Sequence, residues 1–300
     1  MDALQHAKPR RKAAPSRGKP ALRVTNLSLL VAGGPVPLRI YQPVDKPGAN
    51  RAAAKLPAVL YFHGGGFVGG DLDDAETPAS HIAANTPAVV VSVGYSLAPH
   101  KPFPAAPEDA YAAAWVFEQA DSLGVDPARL AAAGDDAGGS LAAALAMMAR
   151  DRGRFAIAAQ ALIGPMLDPS MTRMGDAKRL NSDMQPEDCA VCYRQYLPAA
   201  AQRMHPYAAP LESRRLAGLP AALVVTAECD VLHNEAEKYA AELISASVHT
   251  QVARLPKVKH GELHTHARAR AEVSDFLRRR LHAAGSAHAY AIEQATALNT

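Results

Sequence analysis

Two glycine-rich segments place backbone amides and one acid where a reaction could be carried out. In Gly134-Asp135-Asp136-Ala137-Gly138-Gly139, small residues flank Asp136 on both sides. They permit the sharp, strained strand-to-helix turn called a nucleophile elbow, which lifts one side chain to the mouth of a sheet. In His63-Gly64-Gly65-Gly66-Phe67, three residues without side chains follow an apolar run. Their N–H groups can face a ligand, and such donors suit an oxyanion that develops during reaction. The N–H groups of Gly65, Gly66 and Ala137 are expected to converge on one point as an oxyanion hole. A phosphate-binding P-loop is excluded, because no Gly-Lys-Ser/Thr follows.

Other reactive residue types read as structural. Cys189 and Cys192 lie one helical turn apart, but no second cysteine pair or nearby histidine completes a zinc set, so they read as buried helix-face thiols. His260, His264 and His266 are clustered, yet a helical pattern begins only after Gly261, so His264 and His266 read as ordinary polar or packed residues. His63 is expected to fix the glycine loop through its ring, and Asp135 to orient the backbone at the elbow. Asp71, Asp73, Asp74 and Glu76 read as a solvated acidic loop.

The elements that must hold these segments follow from patterning. Val24–Val31 and Leu38–Tyr41 read as strands around the turn signal Gly33-Gly34-Pro35. Ala58–Phe62 and Ala88–Val93 are short continuous apolar runs, the pattern of parallel strands covered on both faces. A helix starts at Pro107, with Glu108 and Asp109 in its first turn, and runs to Leu123 before Gly124. Leu130–Ala133 has weak β-propensity but sits where the next strand belongs. Ser140–Arg150 is an apolar helix, and Ala158–Ile163 and Ala222–Val225 are further strands. Strands alternating with helices predict an α/β fold with a mostly parallel, doubly wound sheet. About sixty residues of mostly helical pattern lie between the last two strands, where an insertion would cover the ligand-binding ends of the sheet.

These segments, with Tyr95-Ser96-Leu97-Ala98-Pro99, Phe103-Pro104-Ala105-Ala106, Glu228-Cys229-Asp230-Val231-Leu232 and His260-Gly261, occur in a characteristic order. The set resembles the hormone-sensitive-lipase-like esterases of the α/β-hydrolase fold, from about residue 24 to 280. The resemblance implies a helical cap at about residues 166–218 and a catalytic set of Asp136, Asp230 and His260, in the chain order nucleophile, acid, histidine. It also implies small carboxylic esters as substrates and no cofactor or metal. There are departures from the family pattern. The elbow residue is Asp136 where the family has serine, Glu262 replaces the usual phenylalanine, and His100 replaces a glutamate. The family's N-terminal helical cap is shortened or replaced.

Aspartate at the elbow changes the chemistry. A carboxylate attacking an ester carbonyl would form a mixed anhydride, a poor intermediate for turnover. Ser140 cannot substitute, being four residues on and inside the helix. Three accounts stay open: a hydrolase of the carboxylesterase type in which His260 activates water, an Asp136-nucleophile hydrolase of epoxides or lactones, and an inactive homologue that binds a ligand or partner. Dehalogenation fits poorly, because the one tryptophan, Trp115, lies in a helix remote from the motifs, whereas Tyr193, Tyr196 and Tyr207 lie in the insertion.

Composition sets the frame. The 300 residues are 49% hydrophobic and 20% charged, enough to bury a sizeable core. The longest apolar runs, such as Leu141–Ala149, are far shorter than the roughly 18 residues of a membrane span. No secretory leader is evident, and three cysteines cannot form a disulfide framework, so a cytoplasmic location is expected. Residues 1–20 hold six Lys/Arg against one acid, net +5, leaving the other 280 residues at −2. The first twenty residues therefore read as a disordered basic tail and residues 21–300 as one α/β-hydrolase domain, with no nucleic-acid partner expected. Oligomeric state is open, a dimer included.

Overall fold

The computed structural model describes residues 4–6, 20–44, 55–114 and 120–297. Among the described residues nine strands form one sheet: β1 (Leu4–His6), β2 (Ala21–Val31), β3 (Gly34–Val44), β4 (Leu56–Phe62), β5 (Val89–Val93), β6 (Val125–Asp135), β7 (Ala159–Ile163), β8 (Ala221–Cys229) and β9 (Thr250–Lys259). Their spatial order is β1-β2-β3-β5-β4-β6-β7-β8-β9. The pairs β1–β2, β2–β3 and β3–β5 are antiparallel. All pairs from β5–β4 to β8–β9 are parallel. From β4 the chain goes to β5 on one side and returns to β6 on the other. The crevice at the carboxyl ends of β4 and β6 is thus a topological switch point, where open α/β sheets bind ligands.

Both faces of the central sheet are covered, which is why β4 and β5 read as unbroken apolar runs. Ala58, Leu60 and Phe62 of β4 pack on one face with the helices α2 (Ala105–Ala113), α4 (Ala137–Arg152) and α7 (His233–Ser245). Val59 and Tyr61, the alternate residues, pack on the other face with α1 (Glu76–Asn85) and α8 (Ala267–Ala297). Helix α4 is buried on every side from Ala137 to Ala149, as its lack of an amphipathic pattern requires. The insertion between β7 and β8 carries the short helix α5 (Ala177–Leu180) and α6 (Pro186–Tyr196). Among the described residues no helix is long and apolar enough to cross a membrane.

Several local expectations need correction. The strand expected at Leu130–Ala133 extends from Val125 to Asp135, because its place between β4 and β7 overrides the weak β-propensity of alanine. The helix expected from Pro107 to Leu123 is instead α2, which starts at Ala105 and ends at Ala113, and the short α3 (Ala120–Leu123). Trp115 and the rest of 115–119 lie outside the described residues. Glu76 opens α1 and is not part of a loop, and Asp73 accepts a hydrogen bond from Arg39 at 2.7 Å. Of the basic tail, Leu4–His6 form strand β1, and the remainder up to residue 19 lies outside the described residues.

Candidate active site

Asp136 occupies the turn between β6 and α4 with φ 53° and ψ −119°, a left-handed conformation that a residue with a Cβ rarely adopts. Hydrogen bonds hold the turn from several sides. The Asp136 N–H donates to the Ile163 carbonyl at 2.9 Å, and its own carbonyl accepts from Gly139, Ser140 and Met166. Gly138 is required here: a Cβ would stand 2.1 Å from the Phe62 carbonyl oxygen at the end of β4.

The loop after β4 brings its amides to the same place. The N–H groups of Gly65 and Gly66 each donate to Asp136 Oδ2 at 2.8 Å. Gly65 has φ +106°, and a Cβ there would lie 2.3 Å from the Gly69 carbonyl oxygen, so only glycine fits the loop in this shape. His63 braces the loop through Nδ1, 2.7 Å from the Gly64 carbonyl, and stacks on Tyr95 with ring centroids 4.3 Å apart. Ala137 lies next to Asp136 as the first, fully buried residue of α4.

The other carboxylate and the histidine arrive from the far strands. Asp230 follows β8 and is fully buried, and its Oδ1 accepts the Leu232 N–H at 2.9 Å. His260 follows β9, with Nδ1 2.8 Å from Asp230 Oδ2 and Nε2 3.8 Å from Asp136 Oδ1. Asp136 is only 7% exposed, yet its Oδ1 has no hydrogen-bond partner among the described residues. Burial alone would lower the His260 pKa. The charge and hydrogen bond of Asp230, then the charges of Asp136 and Asp135, outweigh it and raise the value to about 9. An imidazolium is therefore held between two carboxylates at neutral pH.

A cavity of about 220 Å³ opens beside this set, lined by Asp135, Asp136, His260 and His264 with the apolar Ile163 and Met184. Asp135, expected to orient backbone, is bonded to a side chain: its Oδ1 accepts the Tyr61 hydroxyl at 2.6 Å, and burial raises its pKa. His264, read from the sequence as an ordinary polar or packed residue, is a wall of the cavity. Cys189 is a buried thiol as expected, whereas Cys192 is half-buried and packs against Gly66. Among the described residues no group of three His, Cys, Asp or Glu side chains could hold a metal ion.

Two features were not legible in the sequence. Asp183, between α5 and α6, accepts the backbone N–H groups of His260 and Gly261, each at 3.1 Å. The exposed, isolated acid gave no signal of this. Strand β9, which delivers His260, alternates its burial irregularly and includes Pro256 and Lys257, so it shows no apolar run.

Asp136, Asp230 and His260 thus meet at the carboxyl ends of β6, β8 and β9, beside a glycine loop at the end of β4. Residues 59–264 match the alpha/beta hydrolase fold family. The chain belongs to that family. As an alpha/beta hydrolase it is similar to an ethyl acetate hydrolase of Pseudomonas putida, 38% identical over 245 residues, covering 79% of this chain and 74% of the relative. It is likewise 38% identical over 247 residues to the esterase LipI of Mycobacterium tuberculosis, covering 81% and 75%. Among solved structures, a hyperthermophilic esterase from the archaeon Pyrobaculum calidifontis superposes with a TM-score of 0.79 at 38% identity, covering 89% of this chain and 85% of that one. The alpha/beta hydrolase scaffold anticipated from the motifs is therefore established.

Proposed function

We propose that this alpha/beta hydrolase cleaves compact carboxylic esters, with residues 166–218 as a cap over the site. The reading is carried by the hydrogen-bonded pair Asp230–His260, which faces Asp136 beside the amides of Gly65 and Gly66. The esterase relatives support it. In this route an ester carbonyl takes the glycine amides, and Ala137 supplies a third donor. For the carbonyl to enter, Asp136 must first withdraw Oδ2. His260 then accepts a proton from a water that attacks the acyl carbon, and later returns it to the leaving alcohol. With its pKa near 9, about one His260 in a hundred is neutral at pH 7, so turnover should be slow there and should climb with pH.

A second reading is favoured by one observation: Oδ2 is held by two amides while Oδ1 is buried, unpartnered and turned toward His260. In this arrangement Oδ1 is the free lone-pair bearer, suited to attack an sp³ carbon of an epoxide or lactone. In the epoxide case the Oδ1–carbon bond forms as the ring carbon–oxygen bond breaks, and protonated His260 gives its proton to the leaving oxygen. Neutral His260 then deprotonates a water that attacks the Asp136 carboxyl carbon. The negative charge gathers on Oδ2, against the Gly65 and Gly66 amides. Collapse releases the diol and restores both the carboxylate and the imidazolium.

The test is turnover of short-chain p-nitrophenyl esters by the native protein and by His260→Ala. Native turnover that His260→Ala abolishes supports the ester reading. Equal rates in both would refute it. If neither acts on esters, a single turnover with an epoxide in ¹⁸O-water decides the second reading. Label in Asp136 supports a nucleophilic carboxylate, and the absence of both label and turnover leaves a ligand-binding homologue.

A further inference from the structure

The segment Gly175–Asp183 lies across the two loops that carry Asp230 and His260, and it is bonded to both. At one end the Gly175 N–H donates to the carbonyl of Val231, the residue after Asp230, at 2.8 Å. At the other end the Asp183 carboxylate takes two amides, Oδ1 accepting from His260 and Oδ2 from Gly261. Between them α5 is a single turn, tightened by the Asp176 side chain accepting the Arg179 N–H at 2.8 Å. The segment therefore ties the two loops together through their backbones, while the imidazole–carboxylate hydrogen bond ties them through side chains.

We propose that Asp183 is a positioning residue for His260, and that Gly175–Asp183 is a strap by which the cap sets the distance between the histidine and Asp230. The proposal rests on His260 acting in the reaction put forward above. A carboxylate that grips two successive amides fixes the direction in which the His260 side chain leaves the backbone. That direction decides whether Nδ1 meets Asp230 and Nε2 faces Asp136. The next residue, Met184, lines the cavity, so a ligand that displaces it also moves Asp183. Occupancy under the cap is thereby coupled to the placement of the proton-transferring group.

The experiment uses the full chain, with Asp183→Ala and Asp183→Asn as variants and proton NMR of the histidine ring as the first readout. The native protein should show a far-downfield Nδ1 proton from His260, the signature of its bond to Asp230. In Asp183→Ala this resonance should broaden away or shift upfield, while the ring signals of His63 stay in place. Asp183→Asn keeps the shape and one acceptor, and should fall between the two. With a substrate that turns over, Asp183→Ala should lose roughly tenfold in kcat with little change in KM. An unchanged downfield proton in Asp183→Ala overturns the proposal, whether or not the protein proves to be an ester hydrolase. A general shift of all histidine signals would also overturn it, by showing a merely structural role. Should Asp183→Ala fail to fold, Asp183→Asn is read by the same criteria.

Discussion

Replacing Asp136 with serine should raise the rate of ester turnover, and the size of the gain follows from two hydrogen bonds. Asp136 Oδ2 holds both glycine amides at 2.8 Å, so no ester carbonyl can use them until the carboxylate leaves. A hydrogen bond to a charged group contributes about 1.5–3 kcal/mol, so vacating the hole costs roughly 3–6 kcal/mol. That corresponds to a factor of about 10² to 10⁴ in rate. A serine hydroxyl is too short to fill the hole and also supplies a nucleophile suited to acyl transfer, so about 10² is the minimum gain expected. The assay is kcat/KM for p-nitrophenyl acetate and butyrate, with circular dichroism to show that the fold is kept. Asp136→Asn is the control: its amide oxygen can still accept from Gly65 and Gly66, so it should remain slow. A folded Asp136→Ser no faster than the native protein would refute the idea that the carboxylate blocks the hole.

Three further outcomes follow from the same geometry. His260 binds its proton more tightly in the folded protein (pKa about 9) than in the unfolded chain. It therefore contributes on the order of 3 kcal/mol of stability below about pH 6.5, lost as pH rises through about 9. Urea unfolding at pH 6.5 and 9.5 should show the native protein losing more stability over this interval than His260→Gln, and parallel losses would count against it. Gly65→Ala should destabilise the protein by about 2 kcal/mol or more and abolish turnover, because its Cβ would collide with the Gly69 carbonyl in a strained conformation; a soluble, active Gly65→Ala would contradict the account of the loop. Burial and the charge of Asp136 push the Cys192 thiol up, so iodoacetamide at pH 7 should modify it more slowly than free cysteine, read by mass spectrometry. Modification at the free-cysteine rate would show that the thiol is not held as described.

What the sequence disclosed and what it hid divide along physical lines. The parallel strands β4 and β5 were legible because burial on both faces demands unbroken apolar runs. The elbow and glycine loop were legible because close backbone approach admits only small residues, as Gly138 against the Phe62 carbonyl illustrates. Strand β9 was hidden because it is half-exposed along its length. The seating of Asp136 on the glycine amides could not be read either, since it depends on a side-chain rotamer. Asp183 reaches His260 from 77 residues away, and such a long-range pairing leaves no local pattern.

His260 is held between two carboxyl groups, hydrogen-bonded to Asp230 at 2.8 Å and facing Asp136 Oδ1 at 3.8 Å, and everything above depends on that placement. NMR titration of the His260 ring in the native protein and in Asp136→Asn measures this directly. The account predicts a native pKa near 9 and a clear fall in Asp136→Asn, where one of the two flanking charges is gone. A native His260 that is already neutral at pH 7, or one whose titration ignores the loss of the Asp136 charge, would contradict it.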